Sequence, residues 1–359
     1  MRNFKLMIVM LIALLVFAGC STANEVEPEV KDEPVKAVFI VRTNLGDKSF
    51  NDSAWSGLKM AEAELGYEVS AVEIGGDQTK YEPTFIDAVE SDADIILVGS
   101  PALIEVADQY VAQYPDKKFV YFDVAPTFVN NHDNVVALSF KQNESSFLAG
   151  ALAGLMTESN NIGFVGGTEN IVINDFLTGY IKGATYTNPE IKVQVSFIGS
   201  FSDAAKGKEL GLVQIDNGAD FVHSVAGGAG LGVIEAVAER QVWSIGVDAD
   251  QALALKDTSP EKSEVIITSA LKLVGNALFE VFKTIEDGSV QWGSLYAMGI
   301  NEKAAGIAVN EYYDKNVPAE VKETMLEIES KVKIGEIKVT SAFDLTQDEI
   351  NALKDSVRP

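Results

Sequence analysis

The sequence predicts an α/β fold: two doubly wound lobes, each on a parallel sheet, with a ligand cleft between them. Three observations carry this expectation. From residue 37 onward, short and nearly uninterrupted apolar runs alternate with longer amphipathic stretches, which is the pattern of parallel strands covered by helices on both faces. Ten such runs occur, too many for one comfortable sheet at this spacing, and the chain divides naturally near residue 140. The polar junctions follow the runs rather than precede them, and in open parallel sheets the ligand crevice lies outside the strands' carboxyl ends.

The first five runs are 37–43, 68–75, 94–100, 118–124 and 134–140, and the second five are 161–167, 192–199, 220–227, 242–248 and 264–270. After the first run, SFNDSAWSGLKMAEAELG places Ala54, Leu58, Ala61 and Leu65 on one helical face and stops at Gly66. Five junctions stand out: NLGDKSFND after the first run, DVAPTF after the fourth, GSFSDAAKGK after the seventh, AGGAGLG after the eighth and GVDADQ after the ninth. Two facing lobes could aim all five at one cleft. The segment NLGDKSFNDSAW (44–55) is then a cleft lip, and its Phe50 is exposed to meet a ligand. A competing reading makes Phe50 a hydrophobic contact that fixes the first helical turn.

Composition narrows the function. With 359 residues, 47% hydrophobic and 23% charged, the chain is globular and long enough for two cores. Its net charge of −25 becomes −27 once Arg2 and Lys5 leave with the leader, so phosphate backbones are repelled and nucleic acid is not a partner. Two His and one Cys leave no Cys/His metal site and no disulfide pair. No calcium-type loop of alternating Asp is present in the sequence, and no cofactor is expected. GGAGLG (227–232) follows a strand with Asp248 about twenty residues on, yet its spacing is G-x-G-x-G and not that of a dinucleotide fingerprint. His132 reads as a loop residue and His223 as a packed one; no acid–base pair can be named, so a binding protein is expected and a nucleoside-cleaving hydrolase is the enzyme rival.

The N-terminus carries its own signals. MRNFK is a short basic region and LMIVMLIALLVFA an apolar stretch, ending in FAGC. A lone Cys behind small residues resembles a bacterial lipobox, with Phe17 where Leu is usual. Residues 1–19 are therefore expected to be a lipoprotein signal peptide, with Cys20 diacylated as a membrane anchor on the extracytoplasmic face. Each buried methylene of such a lipid contributes roughly 0.8 kcal/mol. Residues 21–36, STANEVEPEVKDEPVK, carry five acids and two prolines without apolar period, which together with Cys20 reads as a solvated acidic tether over 20–36.

GDKSFNDSAWSGL, FVGGTENIVINDFLTGYIKGA, GSFSDAAKGKEL, GAGLGVIEA, IGVDADQ and TSALK resemble, in the same order, the motifs of the basic membrane protein family. These are lipoproteins similar to purine nucleoside receptors of ABC transporters, and the resemblance runs from the lipobox to near residue 315. It implies a type I periplasmic-binding-protein fold, whose lobes are joined by a three-segment hinge and close on ligand. Crossovers are expected near 140, 268 and 295, giving a first lobe of 37–140 plus 269–295 and a second of 141–268 plus 296–359. The helix starting at Leu271 would return to the first lobe. The resemblance also implies a monomer that delivers adenosine, guanosine or inosine to an ABC permease and ATPase.

Carried over position by position, Phe50 and Phe201 would stack on opposite faces of the base. Asp248 would accept from both ribose hydroxyls, and Lys272 would reach the same sugar. Asp47, Asn51 and Asp123 would contact the base edge or the ribose, while Gly227 and Gly228 would let backbone approach the sugar. After Lys272 the family usually continues with Arg or Lys, Val and Asp; here Leu273, Val274 and Gly275 follow, which removes a polar neighbour. The chemistry suits a nucleoside, which is neutral, flat at one end and a vicinal diol at the other. Charge-assisted hydrogen bonds contribute roughly 1.5–3 kcal/mol each and stacking about 1–3 kcal/mol per face. After the cost of closure about −8 to −11 kcal/mol would remain. A sugar or another small solute on the same fold is the alternative ligand.

Overall fold

Apolar runs with no polar alternation become strands covered on both sides. The computed structural model describes residues 33–359; the leader, Cys20 and most of the tether lie outside the described residues. In the Val35–Pro359 body, the first five runs contain β1 (Lys36–Val41), β2 (Glu68–Glu73), β3 (Ile95–Gly99), β4 (Lys118–Phe122) and β5 (Val135–Phe140). The second five yield β6 (Asn161–Gly166), β7 (Lys192–Phe197), β8 (Phe221–Val225), β9 (Trp243–Asp248) and β10 (Ile266–Lys272). Two short strands without an apolar run complete the sheets, β11 (Leu295–Met298) and β12 (Ala305–Ile307).

The first sheet has the order β11-β5-β4-β3-β1-β2 and is parallel throughout. The second has the order β12-β10-β9-β8-β6-β7, with only β12 antiparallel. Each lobe is thus doubly wound about its first strand, and its switch point lies between β1 and β3 or between β6 and β8. Ligand crevices form at such points. The edge strand β2 shows what a lost covering does: its residues are mostly exposed and Val72 stands 41% in solvent.

Three segments pass between the sheets. The first leaves β5 after Phe140. The second differs from the expected position near 268: β10 pairs with β9 as far as Leu271 and with β12 at Lys272, so residues 269–272 belong to the second sheet. The chain leaves at Leu273, and the returning helix is Val274–Glu286 rather than one starting at Leu271. The third crossing lies between Met298, paired with Phe140, and Ala305, paired with Lys272, and not at 295. Both shifts have one reason. Ladder pairing, not apolar patterning, decides where β10 and β11 end.

Glycines let the helices touch through backbone. Between helices Gln142–Met156 and Ile171–Thr187, a Cβ on Gly183 would stand 1.9 Å from the Phe147 carbonyl oxygen and one on Gly179 2.3 Å from that of Asn143. In the first lobe, a Cβ on Gly275 would lie 2.2 Å from the Ser53 carbonyl oxygen, where helix Val274–Glu286 crosses helix Phe50–Leu65. This contact leaves no room for a side chain at Gly275. We expect Gly183→Ala to lower unfolding free energy by about 1–3 kcal/mol or more, since overpacking must push the two helices apart. Urea titration of both proteins measures this, and a loss below about 0.5 kcal/mol, within the range of an ordinary surface substitution, would mean that the helix contact yields freely.

Candidate functional site

Asp47 organises the turn after β1. Its carboxylate accepts from the backbone N–H groups of Ser49 (3.0 Å), Asn51 (2.9 Å) and Asp52 (3.1 Å), donors that the start of helix Phe50–Leu65 would otherwise leave unpaired. Asp52 in turn accepts from the N–H groups of Gly46 (2.6 Å) and Lys48 (3.0 Å). The Asn51 amide donates to Thr43 Oγ1 and to the Asn44 carbonyl. Much of the polarity in NLGDKSFND is therefore spent on holding the turn itself. Phe50 packs 5.6 Å from Phe122 and lines the cavity between the lips.

Three strand ends turn sharply towards the cleft. Ser100 after β3, Asp123 after β4 and Asp248 at the end of β9 have φ of +78°, +70° and +63°. Left-handed backbone is uncommon outside glycine and clusters at functional sites. Lys272, the last residue of β10, is only 3% exposed; it donates to Asp123 Oδ1 at 2.8 Å and stands 3.9 Å from Asp248 Oδ1. Ser49 Oγ donates to Asp248 Oδ2 at 2.5 Å, and Gln251 Nε2 donates to the Lys48 carbonyl at 3.1 Å. The Lys272–Asp123, Ser49–Asp248 and Gln251–Lys48 contacts each join one lobe to the other. The lips of the cleft meet. Burial pushes the Asp248 carboxyl above the usual carboxylate range, while the Lys272 ammonium and the Ser49 hydroxyl pull it back. Burial likewise raises Asp47 to about 6 against its three backbone donors.

The lips enclose a cavity of about 220 Å³, below the roughly 300–1,000 Å³ usual for small-molecule sites. Asp47, Phe50, Asn51, Asp123, Phe201, Gly227, Asp248 and Lys272 all line it. Gly228 does not line the cavity, contrary to expectation. It sits where the lobes touch, and a Cβ there would come 3.4 Å from the Phe201 carbonyl oxygen and 3.7 Å from Asp47 Cβ. Both aromatic walls carry a cation: Lys272 Nζ is 4.7 Å from the Phe50 ring centre and the Arg42 guanidinium carbon 4.7 Å from that of Phe201.

Sequence reasoning did not single out Arg42, Ser49, Ser100, Asn170 or Phe176. Asn170 caps helix Ile171–Thr187, accepting from the N–H groups of Val172 and Ile173, and with Phe176 it lines the cavity. The polar junction GTEN after the sixth run was a usable signal for it. Arg42 offered none, because a single charged residue at a strand end has no period to betray it; Ser49 lay inside the junction NLGDKSFND but was not singled out there. Among the described residues, no group of three or more His, Cys, Asp or Glu side chains could hold a metal ion.

The family of PnrA-like ABC transporter substrate-binding proteins matches residues 34–342. Over 356 residues the chain is 31% identical to the CD4+ T-cell-stimulating antigen of Listeria monocytogenes, covering 94% of this chain and 98% of that protein. It is 31% identical over 350 residues to the ABC transporter nucleoside-binding protein BmpA of Lactococcus lactis, covering 92% and 96%. Among solved structures, an ABC transporter system solute-binding protein from Aeropyrum pernix K1 superposes with a TM-score of 0.78 over 90% of this chain and 100% of that one. At 23% identity that is a likeness of fold, and it is the type I periplasmic-binding-protein architecture of two lobes on mostly parallel sheets.

Directly behind the cavity-lining turn of helix Ile171–Thr187 lies a further buried carboxylate. Asp175 accepts from Gln142 Nε2, Ser341 Oγ and Ala342 N–H, each at 2.7 Å, and burial raises it to about 6 despite these donors. A carboxyl whose folded pKa exceeds its unfolded value penalises folding only when ionised. The penalty is absent below about 3.8, grows between 3.8 and 6, and is complete above 6. Asp175→Asn keeps the acceptor for Ser341 and Ala342, and the unpartnered Gln142 Oε1 can turn to meet the new amide. Relative to wild type, the variant should gain roughly 2–3 kcal/mol between pH 4 and pH 7. Denaturant melts at pH 4, 5.5 and 7 read this, and parallel curves would show that Asp175 titrates normally.

Proposed function

Since the chain belongs to the PnrA-like family of ABC transporter substrate-binding proteins, we propose that its cleft takes a purine nucleoside and hands it to the partner permease. As a member of that family it is an extracytoplasmic solute-binding protein that works with a permease and an ATPase, and it is not an enzyme. One observation carries the nucleoside reading: Phe50 from one lobe and Phe201 from the other line the same cavity as Asp248. A flat base fits against the aromatic walls, and a vicinal diol suits a carboxylate with accepting capacity to spare. Asp248 has that capacity, because Ser49 takes one lone pair of Oδ2 and Oδ1 stands too far from Lys272 for a hydrogen bond.

The charge balance supports a neutral solute. Lys272 and Arg42 face Asp47, Asp123 and Asp248 within one lining, so a phosphate would meet three carboxyl groups. A relative named as a nucleoside-binding protein points the same way. In this reading the lobes move about the three crossing segments, and closure brings the two Phe side chains to the base. Asp123 and Lys272 act as a pair, the lysine reaching the sugar without leaving the carboxylate. Gly227 admits backbone to the ribose, and Asp47 and Asn51 act chiefly by holding Phe50 in place.

Mass spectrometry of the small molecule released on denaturing residues 21–359 should find a purine nucleoside, and calorimetric titration should give micromolar binding or tighter. Asp248→Ala should cost at least tenfold in affinity; Phe50→Ala and Phe201→Ala should weaken nucleosides more than free ribose. A protein that binds ribose or another sugar but no nucleoside would sink the reading. We also propose that Cys20 carries the lipid that holds the protein on the membrane through its acidic tether. Cys20→Ala in the full chain should move the protein from the membrane fraction to the medium or the periplasm, and retention on the membrane would refute the anchor.

A further inference from the structure

Arg42 is the cavity residue with the least explanation. It follows β1, is half-buried, and lines the cavity. In a chain with 53 acidic side chains, its guanidinium forms no ion pair among the described residues. Its contact is the face of Phe201, reached across the cleft from the other lobe, with the guanidinium carbon 4.7 Å from the ring centre. Phe201 is itself held against backbone, for a Cβ on Gly167 would come within 2.5 Å of its ring carbons. A guanidinium lying over an aromatic ring is held there without spending its N–H donors on a hydrogen-bond acceptor. Arg42 has five donors and no acceptor.

We infer that Arg42 makes the receptor selective for 6-oxopurine nucleosides, guanosine and inosine, over adenosine; the inference rests on the nucleoside reading above. A flat base entering beside Phe201 meets a donor-only edge. Guanine and hypoxanthine present two neighbouring acceptors, O6 and N7, which match the fork of a guanidinium. Adenine presents N7 beside an N6 amino group, so one of its two positions sets donor against donor. The discrimination comes from the unmatched donor pair as much as from the added bond. The Asp47 carboxylate and the Asn51 amide N–H groups do not supply it, because their hydrogen bonds go to the lip itself.

Calorimetric titration of the wild-type body with guanosine, inosine, adenosine and ribose tests this, alongside Arg42→Met. The expected result is that guanosine and inosine bind at least tenfold more tightly than adenosine. Arg42→Met should bring all three within about threefold, chiefly by weakening the two oxopurines. In wild type, 7-deazaguanosine, which lacks the N7 acceptor, should bind at least fivefold more weakly than guanosine, and this readout does not depend on a variant folding. Equal affinities for the three nucleosides, or a preference that survives Arg42→Met, would overturn the role of Arg42 while leaving a nucleoside receptor standing. Binding of ribose with no nucleoside bound would overturn both.

Discussion

Lys272 is an ammonium removed from water, and the cleft is arranged around giving it partners there. Burying such an ion costs several kcal/mol unless carboxylates and hydrogen bonds replace its hydration. Its hydrogen-bonded carboxylate, Asp123, comes from the opposite lobe, while Asp248 stands beside it in its own sheet. The rings of Phe50, Phe140 and Phe176 surround the same nitrogen at 4.7, 5.8 and 5.4 Å. To deliver that residue, β10 has to run past its apolar stretch, and β12 has to pair beside it at Ala305. The position of the second crossing, at Leu273, follows from this need.

The strand ends meet their own constraint. Doubly wound sheets bring the carboxyl ends of several strands to one rim, but a strand continuing straight would send its next side chain past the cleft. Left-handed backbone at Ser100, Asp123 and Asp248 turns the chain back, at a cost of order 1–3 kcal/mol per residue that the buried sheets must over-determine. Glycine contacts between the covering helices supply part of that rigidity. At Gly57 and Gly275, and at Gly179 and Gly183, helix backbones are too close for any side chain to intervene.

Physics also decided what could be read in the sequence. Most of the ten strands were legible because central parallel strands are buried on both faces and write themselves as apolar runs, while the edge strands β2 and β7 showed only as short β-branched stretches. β11 and β12 were not: they have four and three residues, and they exist through pairing with β5 and β10 rather than through any pattern of their own. Polar junctions after apolar runs marked the rim, so eight residues chosen from the sequence line one cavity. Their partners were invisible. Ser49 and Asp248 lie 199 positions apart, and Lys272 and Asp123 149 apart, so no local window holds both members of either pair. Gly228 falls outside that lining for a related reason. A run of glycines shows that backbone comes close to something, not whether that something is a ligand or, as here, the facing lobe.

These contacts bear on how such a receptor can both close and release. A buried ion pair gains little net energy, because its attraction is offset by the water both partners lose. Lys272 and Asp123 can therefore register the lobes against each other without locking them. The Ser49–Asp248 and Gln251–Lys48 bonds are similar in kind, each modest and each exchangeable for water when the lips part. A solute shifts such an equilibrium only by the difference between its affinities for the closed and open forms. That difference has to come from groups that no single lobe can offer alone. Phe50 and Phe201 meet this condition, one from each lobe, and so does Arg42, which reaches across the cleft to lie over Phe201. Asp248 alone does not, since a diol could bind it with the cleft open; its place beside Ser49 and Lys272 is what ties sugar binding to closure.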